Sequence, residues 1–159
     1  MIQLFLFVIG LMVGSFLNVV SLRYEPGSRL LDLRRIGGRS FCPHCHKQLT
    51  WYELIPIFSF IAQKGKCRGC GKGISLQYPI VELICGIIFA FVPWYIIQNF
   101  YFNVLSYHSF NELFSHQILV IIIWVLIFLS LVLLSIIDFR EYIIADQMNL
   151  FLVFLGLLL

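Results

Sequence analysis

Charge is scarce in this sequence: Asp, Glu, Lys and Arg make up 12% of its 159 residues, against roughly a quarter in soluble domains. Together with a mean hydropathy of +0.94, this points to lipid as the solvent, since apolar side chains there need no protein partner to leave water. Basic residues are missing from Met1 to Leu22, and no Ala-x-Ala site follows that run. A cleaved secretory leader needs a basic segment before its apolar stretch and small residues after it, so the run reads as a membrane span. Charge is also missing from the stretch after Glu82 to about Phe102, and from Ile118 to Ile137. About 20 helical residues cross the hydrocarbon layer, so three spans are expected. A fourth apolar run, Gln147 to Leu159, is too short to span and reads as a helix cut short.

The basic residues that are present sit unevenly. Ten of the eleven (Arg23, Arg29, Arg34, Arg35, Arg39, Lys47, Lys64, Lys66, Arg68 and Lys72) lie between the first two spans, and Arg140 directly follows the third. The positive-inside rule then makes the first loop and Arg140 cytoplasmic and the N-terminus external. The expected architecture is an all-α polytopic membrane protein. It has transmembrane helices at 1–22, 79–102 and 117–138, a cytoplasmic loop at 23–78, an external loop at 103–116, and a turn plus truncated fourth helix at 139–159. Against its ten basic residues the 23–78 loop carries only Glu25, Asp32 and Glu53. That excess suits anionic membrane lipids. No groove-reading or base-stacking motif accompanies it, so no nucleic-acid partner is expected. Inside the loop, the apolar Trp51–Ile61 is too short to span and is interrupted by Pro56, which suits the membrane interface. The spacing Gly10-x-x-x-Gly14 reads more as a consequence of a glycine-containing span than as a packing device.

Four of the five cysteines form two pairs, Cys42-Pro43-His44-Cys45 and Cys67-Arg68-Gly69-Cys70, 21 residues apart. Two residues between cysteines let both sulfurs face one ion, and two such knuckles complete a tetrahedral four-cysteine zinc site. Three alternatives stand beside it: a disulfide pair, a redox-active thiol pair, and a mixed site in which His44 or His46 replaces a sulfur. The zinc would be structural, because four protein ligands leave no open position. Cys85, alone within a span, reads as a small apolar filler.

Two carboxylates frame the end of the third span. Asp138 closes Leu134-Ser135-Ile136-Ile137-Asp138, and an ionisable residue at membrane depth is a candidate for function. Its position also suits simple helix termination beside Arg140. Asp146, before the last apolar run, fits a helix N-cap, and Glu82 reads as a helix-start carboxylate. Two facing carboxylates could share a proton and activate water, yet no partner for Asp138 is evident in the sequence.

Taken in order, the motifs resemble the amino-terminal part of the prepilin peptidases. They are Gly14-Ser15-Phe16-Leu17-Asn18-Val19-Val20 with Arg23, the two knuckles, Leu54-Ile55-Pro56-Ile57-Phe58-Ser59, Gln77-Tyr78-Pro79-Ile80-Val81-Glu82, and Asp138 with Asp146. The resemblance covers residues 10–146. It implies a membrane aspartic endopeptidase of type IV pilus or type II secretion systems in the bacterial inner membrane. Such enzymes cut the leader of prepilins and pseudopilins at the cytoplasmic face, and many also methylate the new N-terminus with S-adenosylmethionine. By this resemblance Asp138 is the first catalytic aspartate, Asp146 belongs to the same motif without an assigned role, and Cys42, Cys45, Cys67 and Cys70 bind zinc. Two departures stand out. Ala145 replaces the family's usual proline, and the Gly-x-Gly-Asp motif holding the second catalytic aspartate is not present. No acidic residue follows Asp146, so residues 1–159 alone are expected to be proteolytically inactive. The alternative function is a non-catalytic membrane adaptor that binds an assembly protein through its zinc loop.

Overall fold

The computed structural model describes residues 1–25, 37–103, 110–141 and 146–158. Arg29, Asp32, Arg34, Arg35 and Ala145 lie outside the described residues, as does the side chain of Asp146. The elements are α1 (Ile2–Arg23), a 3-10 turn (Trp51–Leu54), the short α2 (Phe58–Ala62), α3 (Gln77–Asn103), α4 (Phe110–Glu141) and α5 (Asp146–Leu157). Among the described residues the only pairings of extended chain are two isolated bridges, Phe41–Gln48 and Lys66–Gly73. The protein is all-helical, as the sequence implies.

Helix α1, residues 77–99 of α3 and residues 117–140 of α4 are each long and apolar enough to cross a membrane. At 1.5 Å per residue, the 22 residues of α1 reach ~33 Å, about the hydrocarbon thickness. A helix keeps its backbone hydrogen bonds inside one segment, which lipid demands. The helices outrun the apolar stretches that announce them. Helix α3 starts at Gln77, whose N–H donates to Ser75 Oγ at 3.2 Å. Helix α4 starts at Phe110, inside the segment read as a loop, because Asn111 and Glu112 end the apolar content but not the helix.

Helices α1 and α3 meet through glycine. A Cβ on Gly10 would stand 2.5 Å from the Cys85 carbonyl oxygen and 2.8 Å from Gly86 Cα, and one on Gly14 would stand 2.7 Å from Glu82 Cα. From the other side, a Cβ on Gly86 would press on Leu11 and Phe7 at 2.8 Å. The Gly10-x-x-x-Gly14 spacing, which the sequence presents as incidental, is therefore the contact surface that admits backbone-to-backbone approach. Gly14→Val is expected to destabilise the folded helix pair by about 1–3 kcal/mol or more, the usual cost of overpacking, because the atoms it would meet are backbone and cannot rotate away. Unfolding in a detergent titration would measure the loss, and an unchanged midpoint would contradict this packing.

Two small cores join the remaining helices. Val20, Leu133, Ile137 and Met148 form one, and Val81, Cys85 and Ile136 the other. At one end, polar groups lace three helices together. Arg140 Nη1 donates to the Ser21 carbonyl at 3.1 Å, Ser21 Oγ to the Asn18 carbonyl at 2.9 Å, and Asn18 Nδ2 to the Tyr78 carbonyl at 3.2 Å. The end of α1, the start of α3 and the end of α4 thus share one face, and residues 37–76 sit on it.

Candidate functional site

The duplicated cysteine pair folds as a duplicated turn. In the first knuckle, Cys42 N–H donates to the Lys47 carbonyl at 3.0 Å and His46 N–H to the Cys42 carbonyl at 2.9 Å. In the second, Cys67 N–H donates to the Lys72 carbonyl at 2.8 Å and Gly71 N–H to the Cys67 carbonyl at 2.9 Å. Both turns need a left-handed residue at the same place: Gly71 (φ 72°), where glycine is at ease, and His46 (φ 54°), where a side chain must tolerate it. A Cβ on Gly69 would stand 3.3 Å from Cys45 Sγ and 3.0 Å from Lys47 Cδ, so the second knuckle nests closely against the first.

This nesting gathers Cys42, Cys45, Cys67 and Cys70 so that their four sulfurs lie within 4.8 Å of one another. Cys42 and Cys70 sulfurs are 4.0 Å apart, and those of Cys45 and Cys67 are 3.9 Å apart. Four thiolates at ~2.3 Å from one tetrahedral zinc would stand ~3.8 Å from each other, so the spacing fits an ion. It does not fit a disulfide, whose sulfurs lie ~2.05 Å apart, and all five cysteines are free. Neither His44 nor His46 brings a nitrogen into the group. The thiols are electrically unlike. Cys67 is drawn down to about 6, first by the backbone N–H of Cys70 and then by that of Gly69. On Cys45 the Lys47 N–H pulls down, but burial and the neighbouring sulfurs outweigh it and lift the thiol to about 11. Four such thiols crowd negative charge when ionised, and a bound cation relieves that crowding.

A polar frame supports the knuckles. Glu53 Oε2 accepts from Thr50 N–H at 2.9 Å and from the Thr50 hydroxyl at 2.8 Å, while Lys47 Nζ stands 3.6 Å from Oε1. The Thr50 N–H first, then its hydroxyl and Lys47, hold the Glu53 carboxyl below its ordinary range. The Arg68 guanidinium lies 5.2 Å over the Tyr52 ring, tying the second knuckle to the 3-10 turn. Below this lobe, a cavity of about 540 Å³ separates it from the helix ends. Its walls include Ser15, Tyr78, Glu82 and Arg140 from the helices and Leu54, Phe60 and Cys67 from the lobe.

Glu82 is not a helix-start group. It is the sixth residue of α3, 6% exposed, and its Oε2 accepts the Ile57 N–H at 2.7 Å. The sequence hinted at this only through a carboxylate next to an otherwise uncharged stretch. Asp138 lies in α4 with an exposed side chain, directly after the buried Ile137 and at the same end as Arg140. Asp146 opens α5; its carboxylate lies outside the described residues, so no pairing with Asp138 is described.

The bacterial peptidase A24 N-terminal domain family matches residues 8–96 of this chain, the segment that holds the glycine-lined crossing, both knuckles and Glu82. A prepilin leader peptidase/N-methyltransferase of Myxococcus xanthus is 52% identical over 85 residues, which cover 54% of this chain and 24% of that protein. One of the same name in Bacillus subtilis is 49% identical over 86 residues, covering 54% and 32%. A third, from Stutzerimonas stutzeri, is 31% identical over 172 residues, covering 96% and 52%. The chain thus spans about half or less of the length of these relatives. No solved structure matches it.

Proposed function

Because this chain belongs to the bacterial peptidase A24 N-terminal domain family, we propose that it serves to cleave the leader peptides of type IV prepilins and pseudopilins and to methylate the N-terminus that cleavage exposes. The observation that carries this reading is the convergence at one end of the helices: the four-sulfur cluster, the cavity beneath it and Asp138 all lie where Arg23 and Arg140 mark the chain's basic side. By the positive-inside rule that side faces the cytoplasm of a bacterial inner-membrane protein and the N-terminus faces out.

In this reading Asp138 is one half of an aspartic dyad. One carboxylate takes a proton from water as the water attacks the scissile carbonyl, and a second carboxyl, protonated, donates to the carbonyl oxygen. Residues 1–159 offer no acidic residue after Asp146, and the second carboxyl of the dyad would come from elsewhere. Cys42, Cys45, Cys67 and Cys70 would hold zinc in a structural role, since four protein ligands leave no position open for substrate. S-adenosylmethionine supplies an electrophilic methyl group when bound. The cavity's volume falls within the usual ~300–1,000 Å³ range for ligand sites. Its wall residue Gln77 has a buried Nε2 with no hydrogen-bond partner, a donor available to a polar ligand. Gln77, Tyr78 and Glu82 are the residues that would line such a cofactor.

The test is an assay in membranes with a prepilin peptide. A chain extended to the length of the relatives should both shorten the peptide and add one methyl group, whereas residues 1–159 alone should leave its leader uncut at any pH. Leader cleavage by residues 1–159 would refute the dyad reading, and an extended chain that neither cuts nor methylates would refute the function.

A further inference from the structure

The segment between the knuckles carries an apolar surface that nothing among the described residues covers. Trp51 is 77% exposed, Phe58 71% and Ile61 66%, with Leu54 and Ile55 also exposed. Exposed apolar residues grouped like this mark a contact surface, and where they sit identifies the contact. Ile57 lies in their midst and donates its N–H to Glu82 Oε2 at 2.7 Å. Glu82 stands five residues into α3 from Gln77, which is ~7 Å along the helix axis, and helical side chains lean back toward the helix start. The backbone at Ile57 is therefore level with the first two turns of a membrane-spanning helix instead of above its end.

This position is held at a cost. Ile57 adopts φ 61°, a conformation that a β-branched residue adopts only when its surroundings over-determine it. Basic residues border the segment: Lys47 on one side, Lys64, Lys66 and Arg68 on the other. Apolar aromatics flanked along the chain by lysine and arginine, at the depth of a helix's first turns, suit the boundary between lipid head groups and acyl chains.

We propose that Trp51–Ala62 is a wedge lying in the head-group layer of an anionic bilayer, pinned to α3 by the Ile57 N–H on the Glu82 carboxylate. The four-cysteine lobe then lies flat on the membrane, its cavity opening at the interface. This rests on the spans alone and holds whether or not the protein is a peptidase.

Trp51 reports its own depth once Trp94→Phe and Trp124→Phe leave it as the single tryptophan. In vesicles of phosphatidylcholine and phosphatidylglycerol, its fluorescence should be blue-shifted and strongly quenched by lipids brominated high on the acyl chain. Lipids brominated near the chain end should quench it less, and aqueous iodide hardly at all. Emission quenched by iodide and untouched by brominated lipid would overturn the proposal. So would emission shielded from both quenchers, which would mean that protein covers the wedge. Glu82→Ala should shift Trp51 toward water and open it to iodide. Glu82→Gln, whose amide oxygen still accepts a hydrogen bond, should leave it in place. An unchanged depth in Glu82→Ala would overturn the pin.

Discussion

Replacing Asp138 by asparagine in a chain of the relatives' full length is expected to abolish leader cleavage while leaving the zinc content and the fold intact. Asparagine keeps the shape of the side chain but cannot take up or give a proton at any working pH. A dyad works because two close carboxyl groups split their titrations, so that one is charged while the other is protonated. Removing one member of a catalytic unit costs on the order of 10⁴-fold or more in rate, so residual cleavage should fall below detection. Exposure of Asp138 on α4 means that the substitution disturbs no core packing, which separates lost chemistry from lost folding. Asp146→Asn should do far less if Asp146 caps α5, because asparagine caps about as well as aspartate. Full activity in Asp138→Asn would show that the dyad lies elsewhere.

The second large effect is expected in the lobe. Purified protein should carry about one zinc per chain, and Cys67→Ser should lose it. Structural zinc contributes roughly 10–16 kcal/mol of apparent binding energy to small sites, far more than a lobe with so little core could replace. The described lobe residues buried below a tenth exposure are Cys42, Cys67 and Glu53. Two of these three belong to the four-sulfur cluster, so a bound metal would be most of what the lobe encloses. Protease nicking between Arg39 and Lys72 should therefore rise sharply in Cys67→Ser while the spans remain protected. Chelation of the parent protein should reproduce the same pattern, and a metal-free lobe that resists protease would contradict this account.

What the sequence made legible was what depends on short spacing. Two residues between cysteines dictate a knuckle almost regardless of context, and twenty uncharged residues dictate a span. Both expectations match the structure. What stayed hidden depends on approach over distance. The bond from Ile57 to Glu82 joins residues 25 apart and requires a backbone conformation that nothing about isoleucine announces. Gly10 and Gly14 were legible as small residues but not as a surface, because only the position of Cys85, Gly86 and Glu82 opposite them makes their missing side chains necessary. His46 occupies the place that Gly71 occupies in its twin knuckle, and this histidine, an alternative ligand by sequence, brings no nitrogen to the sulfur cluster.

The glycine-lined crossing also shortens, in polymer terms, the chain closure left to the knuckles. Once α1 and α3 lock together, the chain from Tyr24 to Leu76 is already a closed loop of on the order of fifty residues. Closing a loop of that length costs roughly 3–4 kcal/mol of chain entropy, a cost that the packing of the hydrophobic spans meets without any metal. The ion then needs to close only the shorter inner loop between the two knuckles. A lobe stripped of zinc remains tethered at both ends with its ligands at high local concentration. It should recapture the ion far faster than the excised Arg39–Lys72 peptide would.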